Sequence, residues 1–172
     1  MNETLKTMIS RKSTKSYTQQ QVSDELLDKV LEAGLYAPSG RNTQQVIAVA
    51  VRDKAIRDQL SKMNAAVMGA DSDPFYGAPC VIVVFADSQG TTWVEDGSLM
   101  LGNMMNAAQA LGLGSCWIHR ARQMFESDEG KALMKAWGIP ETMAGIGNCI
   151  LGYAAQEPVA KPRKEGRIVK IG

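Results

Sequence analysis

Four continuous apolar runs, separated by segments with helical periodicity, most strongly constrain the fold of this chain. The runs have the length of strands, and they lack the regular polar positions of a sheet that is exposed on one face. Strands of this kind need helices on both faces, so the pattern predicts a three-layer α-β-α sandwich of mixed α/β class. The predicted strands span residues 46–51, 80–85, 115–118 and 144–153.

The helices between these runs are predicted from periodicity and capping residues. Ser23 is a suitable N-cap, Asp24 and Glu25 favour the first turn of the helix that follows, and Pro38 ends it. The segment over residues 91–111 is apolar on more than one face, which places it at the centre of the fold or of an oligomer. Further helices are predicted over residues 3–10, 54–64 and 124–137, with a loop over 69–78.

Length and composition predict a single domain over residues 1–172. The formal net charge of +1 argues against nucleic acid or a membrane surface as the main partner. The three cysteines lie in apolar runs, which is typical of free thiols in a reducing compartment, and no apolar signal region is found, so we expect a cytoplasmic protein. Because the cysteines and the single histidine lack metal-ligand spacing, we expect no metal site.

A basic segment near the start offers a candidate anion site. If this segment is extended, Arg11, Ser13 and Lys15 point to one side and present a guanidinium, a hydroxyl and an ammonium group to the same anion. Taken alone, the segment is more typical of a solvated basic turn than of an anion site. A second group of cations lies in the basic C-terminal tail and could meet the same anion. The segment is Arg11-Lys12-Ser13-Thr14-Lys15-Ser16-Tyr17, and the tail includes Lys161 and Arg163.

The segment from Pro38 to Gln44 concentrates short polar side chains after a predicted buried helix. Ser39, Asn42 and Gln44 can each donate and accept hydrogen bonds, and Gly40 allows a ligand to approach the backbone closely. The composition suits the edge of a polar heterocycle. A turn that only caps the helix is the alternative.

Four motifs in order resemble those of the FMN-dependent nitroreductase family. They are Arg-x-Ser-x-Lys at 11–15, Pro-Ser-Gly-x-Asn-x-Gln at 38–44, Gly-Leu-Gly-Ser-Cys-Trp-Ile at 112–118, and the basic tail. The resemblance covers nearly the whole chain. It implies a nitroreductase-like fold with a central mixed sheet, and an intertwined homodimer with FMN at the subunit interface.

The resemblance also implies roles for individual residues. Arg11 and Ser13 would hold the FMN phosphate, and Lys15 would approach the N1/O2 edge of the flavin. An acidic run over residues 71–74 stands where some members have polar or basic residues, which leaves the contact to the flavin pyrimidine unassigned. The remaining cofactor-binding residues that it implies are Lys12 in the basic segment, Pro38, Ser39, Gly40, Asn42 and Gln44 from the partner's loop, Ile118 and His119 at the N5 side, and Lys161 and Arg163 at the phosphate. Trp117 is a further candidate, and the sequence leaves open whether it stacks near the ring or fills the core.

The function implied is an oxidoreductase with a ping-pong cycle. NADH or NADPH would deliver hydride to the flavin and leave, and an electron-poor acceptor such as a nitroaromatic or a quinone would then take the electrons. No catalytic side chain is required because the flavin carries the chemistry, with Lys15 as an electrostatic stabiliser. The alternatives are a reductive dehalogenase or flavin-modifying enzyme on the same fold, and a non-catalytic module that binds a phosphate or a nucleotide.

Overall fold

The computed structural model describes all residues, Met1–Gly172. Six α-helices surround one four-stranded sheet, and a 3-10 helix, Gly40–Asn42, precedes the first strand. The elements in chain order are α1 Glu3–Ser10, α2 Asp24–Leu35, β1 Val46–Val51, α3 Lys54–Met68, β2 Cys80–Asp87, α4 Trp93–Ala110, β3 Gly114–Ile118, α5 Ala121–Glu126, α6 Asp128–Ala136 and β4 Met143–Gly152.

The strands are ordered β1-β2-β4-β3, and all three neighbouring pairs are antiparallel. The sheet was expected to be mixed, but within this chain its four strands are antiparallel. The sequence pattern could not distinguish the two, because helices on both faces make a strand apolar whatever its direction. The one parallel pairing is an isolated bridge between Ser13 and Ser115 at the β3 edge.

Two hydrophobic clusters lie on opposite faces of the sheet and confirm the three-layer arrangement. Side chains of β2 alternate between them, so Phe85 packs in one cluster and Ile82 in the other. The Phe85 cluster includes side chains of α3, α5 and α6, and the Ile82 cluster includes side chains of α2 and α4. The predicted central helix, α4, supplies Met100, Leu101 and Met104 to the second cluster.

Most helix boundaries agree with those predicted from the sequence, and the differences have local causes. Ser23 caps α2 as predicted by accepting a hydrogen bond from the Leu26 N–H. Helix α3 runs four residues further than expected, to a left-handed glycine, Gly69, with φ +68°. The helix predicted over 124–137 is two helices, because Ser127 leaves the helical conformation (ψ 158°) and caps α6.

The two ends of the chain expose unusually many apolar side chains. Helix α1 has no buried residue, and the segment over 154–172 contains no helix or strand and is almost entirely exposed. None of the helices combines the length and the apolar composition that crossing a bilayer requires. The large apolar side chains exposed at the two ends are Leu5, Met8, Ile9, Val159, Ile168, Val169 and Ile171.

Candidate functional site

The basic segment runs extended along the outer edge of β3. Thr14 donates its backbone N–H to the Ser115 carbonyl at 3.0 Å, and Tyr17 pairs with Ala154. Thr14 and Tyr17 are buried, whereas Ser13 and Lys15 are exposed on the other side. This is the alternation that the sequence predicts for an extended segment, and it leaves the Ser13 hydroxyl and the Lys15 ammonium group facing outward together.

Arg11 enters this segment directly from the end of α1. Its side chain is half-buried, and its Nη1 atom is fully buried without a hydrogen-bond partner in the chain. A buried guanidinium nitrogen without an acceptor raises the free energy of the folded state, since its N–H loses hydrogen bonds to water and forms none in the protein. A bound anion could supply the acceptor that this nitrogen lacks.

The two lysines of the segment have different environments. Lys12 forms an ion pair with Glu157 at 3.0 Å, which joins the N-terminal segment to the start of the tail. Lys15 has no carboxylate partner, and its Nζ atom lies 5.6 Å from the centre of the Tyr76 ring. The Lys15 charge is thus available to a ligand, whereas that of Lys12 is already neutralised.

The acidic run at 71–74 folds onto its own loop. Asp73 accepts hydrogen bonds from the Ser61 hydroxyl at 2.6 Å and from the Arg57 guanidinium at 2.6 Å. It also accepts the backbone N–H groups of Phe75 and Gly77, at 2.9 and 2.7 Å. Burial works against ionisation, but these donors outweigh it and hold the Asp73 pKa below its usual range. Asp73 is therefore a structural anchor.

Tyr76 lies between the two backbone donors that Asp73 holds. Its φ of 52° is in the left-handed region, which is unfavourable for an aromatic residue. Its ring is 41% exposed and faces Lys15. Tyr76 could not be singled out from the sequence alone, because the contact joins residues that are 61 positions apart along the chain.

The polar loop at 38–44 is strained and anchored from α4. Arg41, Asn42 and Gln44 have φ between 53 and 55°. The Gly40 N–H donates to the buried Asp96 carboxylate at 2.8 Å. Ser39 accepts the Gln44 N–H within the loop, and no hydrogen bond joins the loop, from Pro38 onward, to the basic segment or to β3.

The turn after β3 presents an aromatic pair. Trp117 is 46% exposed, and its ring centre lies 5.5 Å from that of His119. The indole covers the backbone of Gly147 on β4, so Trp117 is not a core side chain, a point that the sequence left open. Ile118 is buried, and the His119 carbonyl accepts a hydrogen bond from the Asn64 amide at 2.8 Å.

The tail cations are not joined to the basic segment. Lys161 and Arg163 are exposed and form no ion pair or hydrogen bond within the chain. A single chain therefore carries Arg11, Ser13 and Lys15 on one extended segment and brings the Tyr76 ring to Lys15. It leaves the tail cations and the 38–44 loop without hydrogen bonds to them.

A cavity of about 960 Å³ lies elsewhere, between α5, α6 and the start of α4. Trp93, Arg122 and Lys135 are among its lining residues, and none of the residues predicted for the cofactor is. No group of three His, Cys, Asp or Glu side chains that could hold a metal ion is present.

Comparison with known proteins gives one consistent family. The model described as the Nitroreductase family matches residues 8–153. An Archaeoglobus fulgidus protein with the provisional name NADH dehydrogenase/NAD(P)H nitroreductase is 36% identical over 91% of this chain and 88% of its own. The FMN reductase [NAD(P)H] of Bacillus subtilis is 27% identical over 95% of this chain and 70% of its own. A crystal structure of a Bacteroides fragilis nitroreductase with bound FMN superimposes with a TM-score of 0.92 at 27% identity, covering both chains fully.

Proposed function

This chain belongs to the nitroreductase family, and from that premise we propose that it is an FMN-dependent oxidoreductase that uses NADH or NADPH to reduce electron-poor acceptors such as nitroaromatics or quinones. The relatives named for NAD(P)H and the FMN-bound structural neighbour support this proposal. The observation in this chain that carries it is the buried, unpartnered Arg11 nitrogen on the same extended segment as the outward-facing Ser13 and Lys15.

These residues fit the phosphate and the ring of FMN. Arg11 offers a donor that lacks only an anionic acceptor, and the neighbouring Ser13 hydroxyl can donate to a second phosphate oxygen. FMN, when bound, supplies the hydride chemistry at its N5 atom. Lys15, free of any carboxylate, would place a fixed positive charge where the reduced ring carries negative charge, at the N1/O2 edge.

We propose further that the active form is a homodimer with a site at each interface. The apolar side chains exposed on α1 and the tail are the kind of surface that a second copy would cover. The Ser39, Asn42 and Gln44 side chains of one subunit would then contact the flavin held by the other. Lys161 and Arg163 would add charge at the phosphate. In this arrangement residues 1–172 form one domain.

We propose a cytoplasmic location on the chemistry of the thiols. All three cysteines are free and buried. Burial raises the pKa of the Cys80 thiol to about 12 and also raises that of Cys149. Thiols of this kind stay protonated and unreactive, as suits a reducing compartment.

A Lys15→Met variant tests whether the site is catalytic or only binds a phosphate. An enzyme should keep most of its FMN but be reduced more slowly by NADPH under anaerobic conditions, by about 10-fold or more. Lys62→Met, an exposed lysine of α3 without an ion pair, is the matched control. A Lys15→Met protein with weaker FMN binding and an unchanged rate for its bound fraction would favour the non-catalytic module.

A further inference from the structure

A fully buried amide on α3 is bonded to the turn that follows β3. Asn64 has no exposed surface, and both ends of its amide are used. Its Nδ2 donates to the His119 carbonyl at 2.8 Å, and its Oδ1 accepts from the Arg120 Nε at 3.0 Å. A buried asparagine is stable only with such partners, so Asn64 ties α3 to two successive residues of the turn.

A second buried amide approaches the same carbonyl from β4. Asn148 is also fully buried, and its Nδ2 donates to the Ile118 carbonyl at 3.3 Å and lies 3.5 Å from the His119 carbonyl. Its Oδ1 has no hydrogen-bond partner. Amides from a helix and from a strand therefore converge on one peptide unit, and Asn64 makes the shorter contact with it.

The direction of this peptide fixes the direction of a free donor. The His119 carbonyl and the Arg120 N–H belong to the same planar trans peptide, so they point in opposite directions. The carbonyl is held inward, which turns the Arg120 N–H outward, and no group in the chain accepts it. Arg120 has φ 78°, a left-handed conformation that is unfavourable for a non-glycine residue and persists only where surrounding contacts impose it.

We propose that Asn64 is a positioning residue that holds the His119–Arg120 peptide so that its outward N–H donates to the ring of the bound flavin. This inference rests on the proposed function and on the expectation that this turn lies at the N5 side. A fixed donor favours the electron-rich reduced ring over the oxidised one. Asn64 thereby raises the reduction potential of the cofactor without touching it.

The test compares three variants after loading with FMN. Asn64→Asp keeps the volume and the acceptor for Arg120 but removes the donor to the His119 carbonyl. Asn64→Leu removes both bonds at similar volume. Gln59→Ala, five residues earlier on α3, removes a hydrogen bond to Glu129 on α6 and serves as the control for losing an α3 contact away from the site.

Both Asn64 variants should bind FMN stoichiometrically but have a lower reduction potential. At equilibrium with a reference dye, their ratio of oxidised to reduced FMN should be higher than in the wild type by about 10-fold, which is about 30 mV for a two-electron couple. Gln59→Ala should leave the potential unchanged. Hydrogen exchange of the 117–122 backbone should slow on FMN binding in the wild type and in Gln59→Ala, and much less in the Asn64 variants.

An unchanged potential in the Asn64 variants, or an equal shift in Gln59→Ala, would overturn the assignment. A folded Asn64→Asp protein that fails to retain FMN would also overturn it, because Asn64 would then serve cofactor retention and not reduction. Wild-type protein that binds no FMN would instead refute the proposed function itself, and that result is obtained before any variant is compared.

Discussion

The Arg57 guanidinium and the Asp73 carboxylate meet at 2.6 Å and join α3 to the loop that follows it. The guanidinium is nearly buried, and it also donates to the Ala78 carbonyl at 2.9 Å. Because Asp73 binds the backbone N–H groups on either side of Tyr76, this pair holds the loop that brings the Tyr76 ring over Lys15.

Replacing Asp73 with Asn should lower the free energy of unfolding by about 1–2 kcal/mol at pH 7, since about a third of the side chain is exposed and solvent weakens the pair. The folded-state pKa is depressed, so the stabilisation is present above the unfolded pKa of about 3.9 and is lost as the pH falls through the folded value. Urea unfolding between pH 7 and pH 3 measures both effects. The wild type should lose free energy of unfolding as the pH falls, and the Asp73→Asn variant should lack the part of that loss that Asp73 causes. Asp71→Asn should show the same pH dependence as the wild type.

Replacing Arg11 with Gln should weaken FMN binding by about 10- to 100-fold, which corresponds to one charge-assisted contact. The same change should leave the apoprotein equally stable or slightly more stable, because it removes a buried nitrogen that has no partner. Fluorescence titration with FMN and thermal unfolding of the apoprotein give the two values. A destabilised apoprotein with unaltered affinity would mean that Arg11 serves the fold, and Lys131→Gln on α6 controls for loss of charge.

Tyr76 should act on the site through its ring and not through its hydroxyl. Tyr76→Phe should therefore retain the wild-type rate of flavin reduction, whereas Tyr76→Leu should slow it by about 2- to 5-fold, the equivalent of a partly exposed cation–π contact. Anaerobic stopped-flow reduction at saturating NADPH distinguishes them. Equal rates in the Leu variant and the wild type would show that Lys15 does not depend on the ring.

Gly102 tests whether α4 contributes to the proposed dimer interface in addition to α1 and the tail. An added Cβ at this position on α4 meets no atom within 4 Å in the single chain, so a larger side chain should be tolerated by an isolated subunit. If α4 forms the seam between two copies, Gly102→Leu should push the helices apart and weaken association by 10-fold or more. Sedimentation over a concentration series measures the effect. A monomeric wild type, or a variant that associates as tightly as wild type, would contradict a seam at α4.

The sequence predicted those features that depend on neighbouring residues. All four apolar runs are strands, and the Ser23 cap lies where local chemistry places it. The break at Ser127 was missed because apolar periodicity continues across it, and the antiparallel order was missed because strands covered on both faces look alike. These errors come from information that a one-dimensional pattern does not contain.

The same distinction between local and long-range information applies to the residues of the site. The alternation of Ser13 and Lys15 follows from an extended backbone and was predicted. Asn64 and Tyr76 were missed, because each acts on a residue more than 50 positions away. One local signal was available for Asn64: it lies four residues after Leu60, on the buried face of α3, where a polar side chain requires a partner.

The most direct test of the central claim is the visible absorption spectrum of the purified protein, recorded before and after anaerobic addition of NADPH, with NADH in parallel. The account predicts flavin bands in the protein as isolated or after incubation with FMN, and predicts that they bleach with at least one of the two donors. A protein that stays colourless after incubation with FMN would contradict the cofactor site at Arg11, Ser13 and Lys15. A flavin that binds but is bleached by neither donor would contradict the proposed reaction.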